Sequence, residues 1–527
     1  MHAVASFADQ PADLVAGKWK PIPGAAMQWR NPARPDQVVW SGSPEPAHVE
    51  QAIEAARMAF LVWSKWPRER RYEVLRHFQK RCTVAVEAMA SLICDETGKV
   101  MWDARAEAGL LGAKVDITLD EDQHGGLARV RPFDLELSAT RQGRCWFRPH
   151  GVMAVLGPFN FPAHLPNGHI VPALAMGNTI VFKPSDKAPG VGQLLARLLQ
   201  EALDDAGAPP GVVNLVQGGP EVARLLVSSE GLDGILFTGS WPVGRAILAA
   251  NLDRPGRIIA LEMGGNNPAV VLPDADLKQA AIECVRSAFV TTGQRCTCTR
   301  RVIVHQAAAA AFIPLLQKLA STLIVGPPRA EHPVFMGPVI SGASRDAVLG
   351  FQAAAAARGG RILLESSRME LEGGGHFLTP GILEVERFTL GSIDPMAPMK
   401  TPGDDLEIFG PMLRVSIASS VDDALEQANA TRFGLAASIF THDDSAVARF
   451  TAEAKAGCIN VNTGTAGASS KLPFGGLGLS GNHRPAGAFS LDYCAYPVAG
   501  MVEVGASAQM LPGMHFEEAW VPAQPLG

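Results

Sequence analysis

The chain has 527 residues, of which 47% are hydrophobic and 19% charged, and its formal net charge is −6. This length predicts about three domains, and the acidic balance argues against a nucleic-acid partner, because phosphate binding requires clustered Lys and Arg. No apolar run reaches the ~20 residues that span a bilayer, and residues 1–10 lack the basic and apolar regions of a signal peptide. We therefore expect a cytoplasmic protein without a membrane partner.

Eight cysteines are scattered along the chain without a regular spacing. This pattern favours reduced thiols in a cytosolic protein over a disulfide framework. Cys296 and Cys298 lack a second pair of ligands at zinc-like spacing, so no metal site is expected.

The amino-terminal part of the chain begins with a stretch that shows no clear pattern, and helices are predicted to follow it. The first 42 residues are Pro-rich with little periodicity, and apolar residues recur at helical spacing after a start at Ser43–Pro46. Helices are expected to continue to about Gly112, and the charged stretch at 68–81 is interpreted as a solvated helix face. The polar segment 125–150 is predicted to form extended arms.

From Gly151 onward, strand-like and helix-like runs alternate, which predicts a parallel α/β sheet. Ligands bind at the carboxyl ends of the strands of such sheets. Asn160, Lys183, Gly239 and Glu262 all follow strand-like runs closely, so we expect them to converge. The strand-like runs are Val152–Leu156, Thr179–Lys183, Val212–Val216, Ile235–Phe237 and Ile258–Leu261, and the helix-like ones include Leu194–Leu203 and Val222–Val227.

A turn at Phe237–Gly244 leads from a strand into a helix, with glycines at 239 and 244. Such a turn lets backbone amides approach a phosphate, although it also occurs as a plain connection. A second set of strand-like runs follows Cys296 and predicts a second α/β domain, with the site in an interdomain cleft. These runs are Val302–Val304, Leu413–Ile417 and Cys458–Val461.

Three residues have the side chains that acyl chemistry requires. The Cys296 thiol lies among Arg295, Arg300 and Arg301, whose charge is expected to lower its pKa and make it nucleophilic; the alternative is an inert, buried thiol. Glu262 closes an apolar run, and burial there would raise its pKa to that of a general base near neutrality. The side-chain amide of Asn160 is a candidate hydrogen-bond donor to an oxyanion.

Seven motifs, in order, resemble those of the NAD(P)-dependent aldehyde dehydrogenases, and the resemblance spans roughly residues 20–500. Each motif alone is weak, but their order and spacing together are specific. The motifs are Pro158–Pro162, Phe182–Ser185, Phe237–Ser240, Leu261–Gly265, Gly293–Cys296, Glu407–Pro411 and Pro473–Gly476.

The resemblance implies an α/β fold of two parallel α/β domains and a small β oligomerisation element that joins two copies or four into a homodimer or homotetramer. A strand-like run at Asp492–Tyr496 would belong to that element. The implied parts are a Rossmann-like cofactor-binding domain at 1–128 and 150–264, a catalytic domain at 265–481, the oligomerisation element at 129–149 and 482–503, and a tail of unassigned role at 504–527.

The resemblance also implies NAD as the cofactor, with NADP as the alternative. By it, Lys183 bonds a cofactor ribose, Glu407 binds the nicotinamide ribose and Phe409 packs beside the nicotinamide. Asp186 stands where the family often has Glu, and its charge would repel the 2′-phosphate of NADP. The implied cofactor residues are Lys183, Ser185, Asp186, Gly239, Ser240, Gly244, Glu407 and Phe409.

The implied reaction is oxidation of an aldehyde through a thiohemiacetal and a thioester on Cys296, with water activated by Glu262. The stretches 164–169, 264–268 and 481–485 are most similar to the branch of the family that acts on N-succinyl-L-glutamate 5-semialdehyde. The loop Asn460–Ala466 departs from that branch, which leaves another anionic or general aldehyde as the alternative. Expected contacts of the substrate carboxylates are His164, Arg295, Ser469 and Lys471.

Three other functions compete with this interpretation. A CoA-acylating dehydrogenase would pass the acyl group to a thiol, but the presence of Glu262 favours water. A catalytically silent protein with the same fold would be expected to lack the nucleophile or the base, and both are present. A cysteine hydrolase would need a histidine base, and its activity would not depend on a nicotinamide cofactor.

Overall fold

The computed structural model of the chain describes residues 10–392, 394, 397–505 and 508–522. The expectation that the amino terminus lacks a signal peptide concerns residues 1–9, which lie outside the described residues. The same holds for residues 506–507 and 523–527 of the tail.

Strands are numbered in chain order. They are β1 Ala12–Val15, β2 Lys18–Pro21, β3 Met27–Asn31, β4 Arg34–Gly42, β5 Phe133–Glu136, β6 Arg141–Pro149, β7 Val152–Leu156, β8 Thr179–Lys183, β9 Val213–Leu215, β10 Gly234–Thr238, β11 Ile258–Glu262, β12 Asn267–Val271, β13 Thr299–His305, β14 Arg361–Leu364, β15 Arg368–Met369, β16 Phe377–Leu378, β17 Gly381–Glu384, β18 Met412–Ala418, β19 Ala436–Phe440, β20 Cys458–Val461, β21 Pro473–Phe474, β22 Ala486–Gly487 and β23 Ala495–Glu503.

Helices are numbered in the same way. They are α1 Ala47–Trp63, α2 Arg68–Val84, α3 Val86–Thr97, α4 Met101–Thr118, α5 His164–Met176, α6 Pro189–Asp205, α7 Pro220–Ser228, α8 Trp241–Ala249, α9 Leu277–Phe289, α10 Gln306–Ser321, α11 Gly342–Ala356, α12 Val421–Asn429 and α13 Asp444–Glu453. Within the described part of the chain, none of them is both long and apolar enough to cross a membrane.

The first large sheet has the strand order β11-β10-β7-β8-β9-β1-β2, and β7 to β11 are parallel. Helices cover both of its faces. Along β8, the side chains of Ile180 and Phe182 pack into the core on one face and that of Val181 into the core on the other, because successive strand residues point to opposite sides. This sheet confirms the predicted parallel α/β fold.

The first 42 residues, whose sequence shows little periodicity, contain the four strands β1 to β4. β1 adds antiparallel to β9 and pairs with β2, while β3 and β4 form a separate hairpin. Asp13 obscures the apolar pattern of β1. Its buried carboxylate accepts hydrogen bonds from the backbone N–H of Gln217 (2.6 Å) and contacts the ring of His48 (2.8 Å).

The second large sheet has the order β14-β17-β18-β13-β12-β19-β20 and is parallel except for β14. Its strand β12 begins at Asn267, five residues after β11 ends at Glu262 in the first sheet. The short segment 263–266 is therefore a direct connection between the sheets. It brings the end of one sheet next to the start of a central strand of the other.

Asn482 covers the free edge of β11. Its side-chain Oδ1 accepts a hydrogen bond from Leu261 N (2.9 Å), and its Nδ2 donates to the carbonyl oxygen of Ile259 (2.8 Å). Two residues after Leu261, the backbone N–H of Met263 donates to Ser480 O (2.9 Å). The strand that ends at Glu262 is thus held on both sides.

A third sheet is formed by β5, β6 and β23 and stands apart from the two large ones. The strand expected at Asp492–Tyr496 is found at Ala495–Glu503, because the preceding residues Ser490–Tyr493 form a 3-10 turn. Tyr493 is buried in that turn, and its hydroxyl contacts Nδ1 of His169 (2.9 Å).

Candidate active site

One cavity of about 160 Å³ lies between the helices α4 and α5 and the loops at 467–470 and 486–487. Cys296 and Glu262 both line it, although Glu262 ends a strand of the first large sheet and Cys296 precedes a strand of the second. A nucleophilic atom and a carboxyl group therefore face one enclosed space. Residues 467–469 and Leu110 are exposed and mark the side of the cavity that opens to solvent.

The predicted substrate residues lie at different places relative to this cavity. His164, Arg295 and Ser469 line it. Lys471 is exposed and lies outside the lining. Its contact with a substrate stays a prediction.

The turn before Cys296 is left-handed at three successive residues, with φ of 54° at Thr291, 56° at Thr292 and 70° at Gly293. This conformation costs an L residue roughly 1–2 kcal/mol, so the two threonines need compensating contacts. Thr292 Oγ1 donates to a backbone carbonyl at 3.0 Å. At 293 only glycine fits, because a Cβ would lie 2.2 Å from the carbonyl oxygen of Gly410.

Asp103 on α4 supplies the compensating contact for Thr291. Its Oδ2 accepts from Thr291 Oγ1 (2.6 Å), and its Oδ1 accepts from Arg295 Nη2 (2.7 Å). Arg295 Nε in turn donates to Thr291 Oγ1 (2.7 Å). Burial alone would raise the pKa of Asp103, but the charges of Lys99 and Arg295 hold it below its usual value. The three side chains form a closed set that fixes the turn.

Asn267 fixes the backbone on the other side of the cysteine. Its Nδ2 donates to the carbonyl oxygens of Cys296 and Cys298, both at 2.8 Å, and its Oδ1 accepts from a backbone N–H of β19 at 3.0 Å. Thr465 Oγ1 donates to the carbonyl oxygen of Thr297 (2.7 Å). The loop that departs from the expected branch pattern therefore touches the cysteine segment directly.

The electrostatic surroundings of the thiol differ from the prediction. Burial raises the pKa of the Cys296 thiol, and the nearby carboxyl groups of Glu262 and Glu407 raise it further. The expected lowering by three arginines is therefore wrong. These arginines interact with other groups. Arg295 forms an ion pair with Asp103, and Arg300 and Arg301 donate hydrogen bonds to backbone carbonyl oxygens. Thiolate formation at this position requires a base.

Glu262 has the properties of such a base. Its side chain is buried, and its Oε1 has no hydrogen-bond partner among the described residues. Burial raises the pKa of Glu262 well above its usual value, and the backbone N–H of Ala486 lowers it only in part. A carboxyl group with a raised pKa accepts a proton more readily than an exposed one, as a general base must.

Asn160 is buried in the loop between β7 and α5. It lines a second, smaller cavity together with Thr291, Thr292 and Gln294. The structure thus brings Asn160 beside the turn that precedes Cys296, while the lining of the larger cavity does not include it.

The end of β8 carries three of the predicted cofactor residues. Lys183 is buried, and its Nζ donates to the carbonyl oxygen of Pro184 (2.9 Å). Burial lowers the pKa of Lys183 to about 8, an effect that the charge of Asp186 opposes. Ser185 Oγ contacts Asp186 Oδ1 at 3.5 Å. Lys183 and Asp186 therefore lie close enough for a ligand to meet both.

The turn between β10 and α8 is open to an anion. Ser240 is the N-cap of α8, but its side chain makes no capping bond within the described chain. Gly239 N donates to the carbonyl oxygen of Glu262 (2.9 Å). A Cβ at Gly244 would lie 2.3 Å from the Met263 sulfur, so glycine lets the helix pack closely against the connection between the sheets. Uncapped amides at a helix amino end fit a pyrophosphate.

Glu407 and Phe409 approach the same connection from the second sheet. Glu407 Oε1 accepts from Gly265 N (2.9 Å), and a Cβ at Gly264 would overlap the Glu407 carboxylate. Phe409 stands edge-on to Phe159, with ring centroids 5.8 Å apart. Together with the strand ends of the first sheet, these residues fit a dinucleotide that reaches toward the cysteine.

Sequence reasoning assigned no role to four charged residues that lie around the site. Lys99 Nζ pairs with Glu107 Oε2 (2.6 Å) with both side chains buried, and Glu107 Oε1 accepts from two backbone N–H groups at the start of α5. Asp103 holds the cysteine turn, and Lys114 lines the main cavity. The sequence did contain a sign of their importance, because Asp103, Glu107 and Lys114 fall on the same face of α4 as buried apolar residues.

Comparison with known proteins relates this geometry to a family. The Aldehyde dehydrogenase family matches residues 19–497. The chain is similar to N-succinylglutamate 5-semialdehyde dehydrogenase 2 of Caulobacter vibrioides, with 44% identity over 92% of this chain and 95% of the relative. It is also similar to N-succinylglutamate 5-semialdehyde dehydrogenase of Chromobacterium violaceum, with 42% identity over 95% and 99%.

Solved structures give the same result for the fold. A 1-pyrroline-5-carboxylate dehydrogenase from Thermus with bound NAD superposes with a TM-score of 0.83 at 29% identity, covering 94% of this chain and 93% of that one. A glyceraldehyde-3-phosphate dehydrogenase from Methanocaldococcus jannaschii in complex with NADP gives 0.82 at 28% identity, covering 92% and 100%. Both nicotinamide cofactors thus occur in proteins of this fold.

We expect Asp103→Asn to loosen the turn before Cys296, because Arg295 loses its charge partner and the left-handed threonine loses an acceptor. The cost should be about 1–3 kcal/mol, seen as a lower melting temperature and as faster hydrogen–deuterium exchange confined to residues 291–297. Asp116→Asn is the control, since Asp116 lies on the same helix in an exposed pair with Arg76. Unchanged exchange at 291–297 in Asp103→Asn would contradict the assignment.

Proposed function

Because the chain belongs to the aldehyde dehydrogenase family, we propose that Cys296, Glu262 and Asn160 are its nucleophile, general base and oxyanion donor. As a member, it oxidises aldehydes to carboxylic acids with NAD(P). One observation carries the proposal: the Cys296 thiol and the Glu262 carboxyl group, with an oxygen that no described residue bonds, line the same buried cavity.

In the proposed mechanism, Glu262 removes the proton of the Cys296 thiol, which burial otherwise keeps protonated. The thiolate adds to the aldehyde carbon, and the Asn160 amide donates to the oxygen that becomes negative. Bound NAD(P) supplies the oxidant, since its nicotinamide ring accepts a hydride from the thiohemiacetal carbon. Glu262 releases the thiol proton to solvent, and the regenerated carboxylate then takes a proton from water as the water attacks the thioester carbon; this second proton later returns to the leaving thiolate. The C–S bond breaks, the acid leaves and the thiol is restored.

The remaining residues position the reactants in this proposal. Lys183, Ser185 and Asp186 would hold one ribose of the cofactor, and the α8 amides after Gly239 and Ser240 its pyrophosphate. Glu407 and Phe409 would hold the nicotinamide end. The support is that these groups stand at strand ends and an open helix terminus beside the connection that carries Glu262.

Replacement of the base tests the hydrolytic step. Glu262→Gln should lower turnover by about 10²–10⁴-fold. Because Glu262 also removes the thiol proton, the variant should form the thioester more slowly, but the thioester should then remain on Cys296, visible as an acyl mass adduct after one turnover. In the wild type the hydrolysis rate should rise with pH, because the raised pKa of Glu262 keeps it protonated at lower pH; in the variant this rise should disappear. Glu384→Gln, at the end of another strand, is the control. CoA-dependent turnover of the wild type would instead support an acylating dehydrogenase.

We propose N-succinyl-L-glutamate 5-semialdehyde as the substrate and N-succinyl-L-glutamate as the product, a step of arginine catabolism. Two relatives that each cover more than nine-tenths of this chain carry that substrate in their names. His164 and Arg295 in the cavity supply polar groups for an anionic aldehyde. Because the 460–466 loop departs from the expected pattern and touches the cysteine segment, another anionic aldehyde is the second candidate.

A substrate panel tests this assignment. A charge-assisted hydrogen bond contributes roughly 1.5–3 kcal/mol, so kcat/KM for the succinylated semialdehyde should exceed that for hexanal or benzaldehyde by about one to two orders of magnitude. Equal kcat/KM values would overturn the substrate while leaving aldehyde oxidation intact.

We further propose that NAD is preferred over NADP. Asp186 lies near Lys183, and its carboxylate would repel a 2′-phosphate. The wild type should have a higher kcat/KM with NAD than with NADP. Asp186→Asn should lower the ratio of these two kcat/KM values. Lys187→Gln serves as the neighbouring control. A preference of the wild type for NADP would contradict the proposal.

The division into parts belongs to the same proposal. Residues 1–128 and 150–264 would bind the cofactor, and 265–481 would carry the nucleophile. Residues 129–149 and 482–503 would join copies into a homodimer or homotetramer in the cytoplasm. Support comes from the third sheet, where Phe133, Leu135 and Met501 are exposed apolar side chains on edge-accessible strands.

A further inference from the structure

Lys114 is a buried cation that faces the main cavity. Its side chain is almost completely buried on α4, and its Nζ donates to the carbonyl oxygen of Gly487 (2.7 Å) and to Ser490 Oγ (3.1 Å). Both acceptors are uncharged, and no Asp or Glu side chain of the described residues forms an ion pair with this lysine. An ammonium group has three donors, so one N–H is left beyond these two bonds.

A buried lysine without a counter-charge is unusual, because removing an ammonium group from water is costly unless an anion compensates it. Burial lowers the pKa of Lys114 to about 8, which leaves it mainly protonated at neutral pH. The bonds to Gly487 and Ser490 satisfy two donors but supply no negative charge. Among the described residues, no side chain therefore supplies the compensating negative charge.

The other charged groups in the cavity do not provide that anion. Arg295 also lines the cavity, but Asp103 already balances its charge at 2.7 Å. Burial raises the pKa of Glu262 well above its usual value and therefore disfavours its negatively charged form. The cavity is thus left with the positive charge of Lys114.

Two imidazoles beside Lys114 remain neutral and polar. Burial, together with the charge of Lys114, lowers the pKa of His164 to about 4 and that of His169 to about 3. His169 is occupied by Tyr493 and Thr238. His164 Nδ1 is buried and has no hydrogen-bond partner in the described chain. A ligand in this cavity can therefore meet a cation and an unbonded ring nitrogen on facing helices.

We propose that Lys114, assisted by His164, binds a carboxylate of the aldehyde substrate and so determines the preference for anionic aldehydes. This inference rests on the proposed function, since it assumes that an aldehyde is oxidised at Cys296. In this inference Lys114, and not Arg295, is the main contact of the carboxylate, because Arg295 is already paired with Asp103. The carboxylate supplies the charge that Lys114 lacks and accepts its third N–H.

The test compares aldehydes of equal length with and without a terminal carboxylate. The pairs are succinic semialdehyde with butanal, glutaric semialdehyde with pentanal and adipic semialdehyde with hexanal. Lys114→Met keeps the length and apolar stem of the side chain and removes its charge. It should lower kcat/KM for the best carboxylated aldehyde by about 10- to 100-fold and change that for its uncharged partner by less than about threefold. Lys278→Met, at an exposed lysine on α9, should change neither.

Three results of this comparison would overturn the inference. If Lys114→Met lowers kcat/KM equally for both aldehydes of a pair, Lys114 only anchors the segment at 487–490. If the wild type prefers carboxylated aldehydes and Lys114→Met keeps that preference, another residue binds the carboxylate. The proposed function would then stand without this inference. A wild type without any preference for carboxylated aldehydes would overturn both the inference and the proposed substrate.

Lys114→Arg gives a second reading if the methionine variant does not fold. Arginine keeps the charge and reaches further into the cavity, so the optimal carboxylated aldehyde should become shorter by one or two methylenes. An unchanged optimal chain length of the carboxylated aldehyde in Lys114→Arg would count against the inference.

Discussion

The burial of ionisable groups in one cavity between two sheets is the constraint on which the site depends. Low polarity around Cys296 keeps its thiol protonated, and the same surroundings raise the pKa of Glu262 until it can accept that proton. Lys114 responds in the opposite direction, with a lowered pKa, because burial always disfavours the charged form. A single physical effect thus shifts the pKa of the proposed nucleophile, the proposed base and the cation proposed to bind an anion.

This cavity exists because the two large sheets are joined by a very short connection. Glu262 ends an edge strand of the first sheet, and Asn267 begins a central strand of the second. Asn267 then bonds the backbone on both sides of the Cys296–Cys298 segment. Asp103 reaches the same segment from α4, a helix that packs against α2, α3 and α5. The cysteine is therefore held from both halves of the chain, and its position relative to Glu262 is set by backbone geometry.

The sequence predicted the parts of this arrangement that are local. Strands β7 to β11 were found as short apolar runs, and Glu262 and Cys296 were found because each lies in a distinctive short motif. β1 was missed because its buried Asp13 interrupts the apolar pattern and is compensated by distant residues. The arginines beside Cys296 were misinterpreted for a similar reason: neighbours along the chain do not reveal that Arg295 pairs with Asp103, which is 192 residues away. Lys114 was missed because charged residues on a helix usually face solvent.

The side-chain amide of Asn482 has a consequence beyond catalysis. An edge strand presents unpaired N–H and C=O groups that can recruit a strand from another molecule. On β11 two of these groups are already bonded by Asn482, one as donor and one as acceptor. The chain thereby imitates a neighbouring strand with a single residue and denies that edge to intermolecular pairing. Protection against polymerisation and the fixed position of the carboxyl group at the end of β11 thus come from the same side chain.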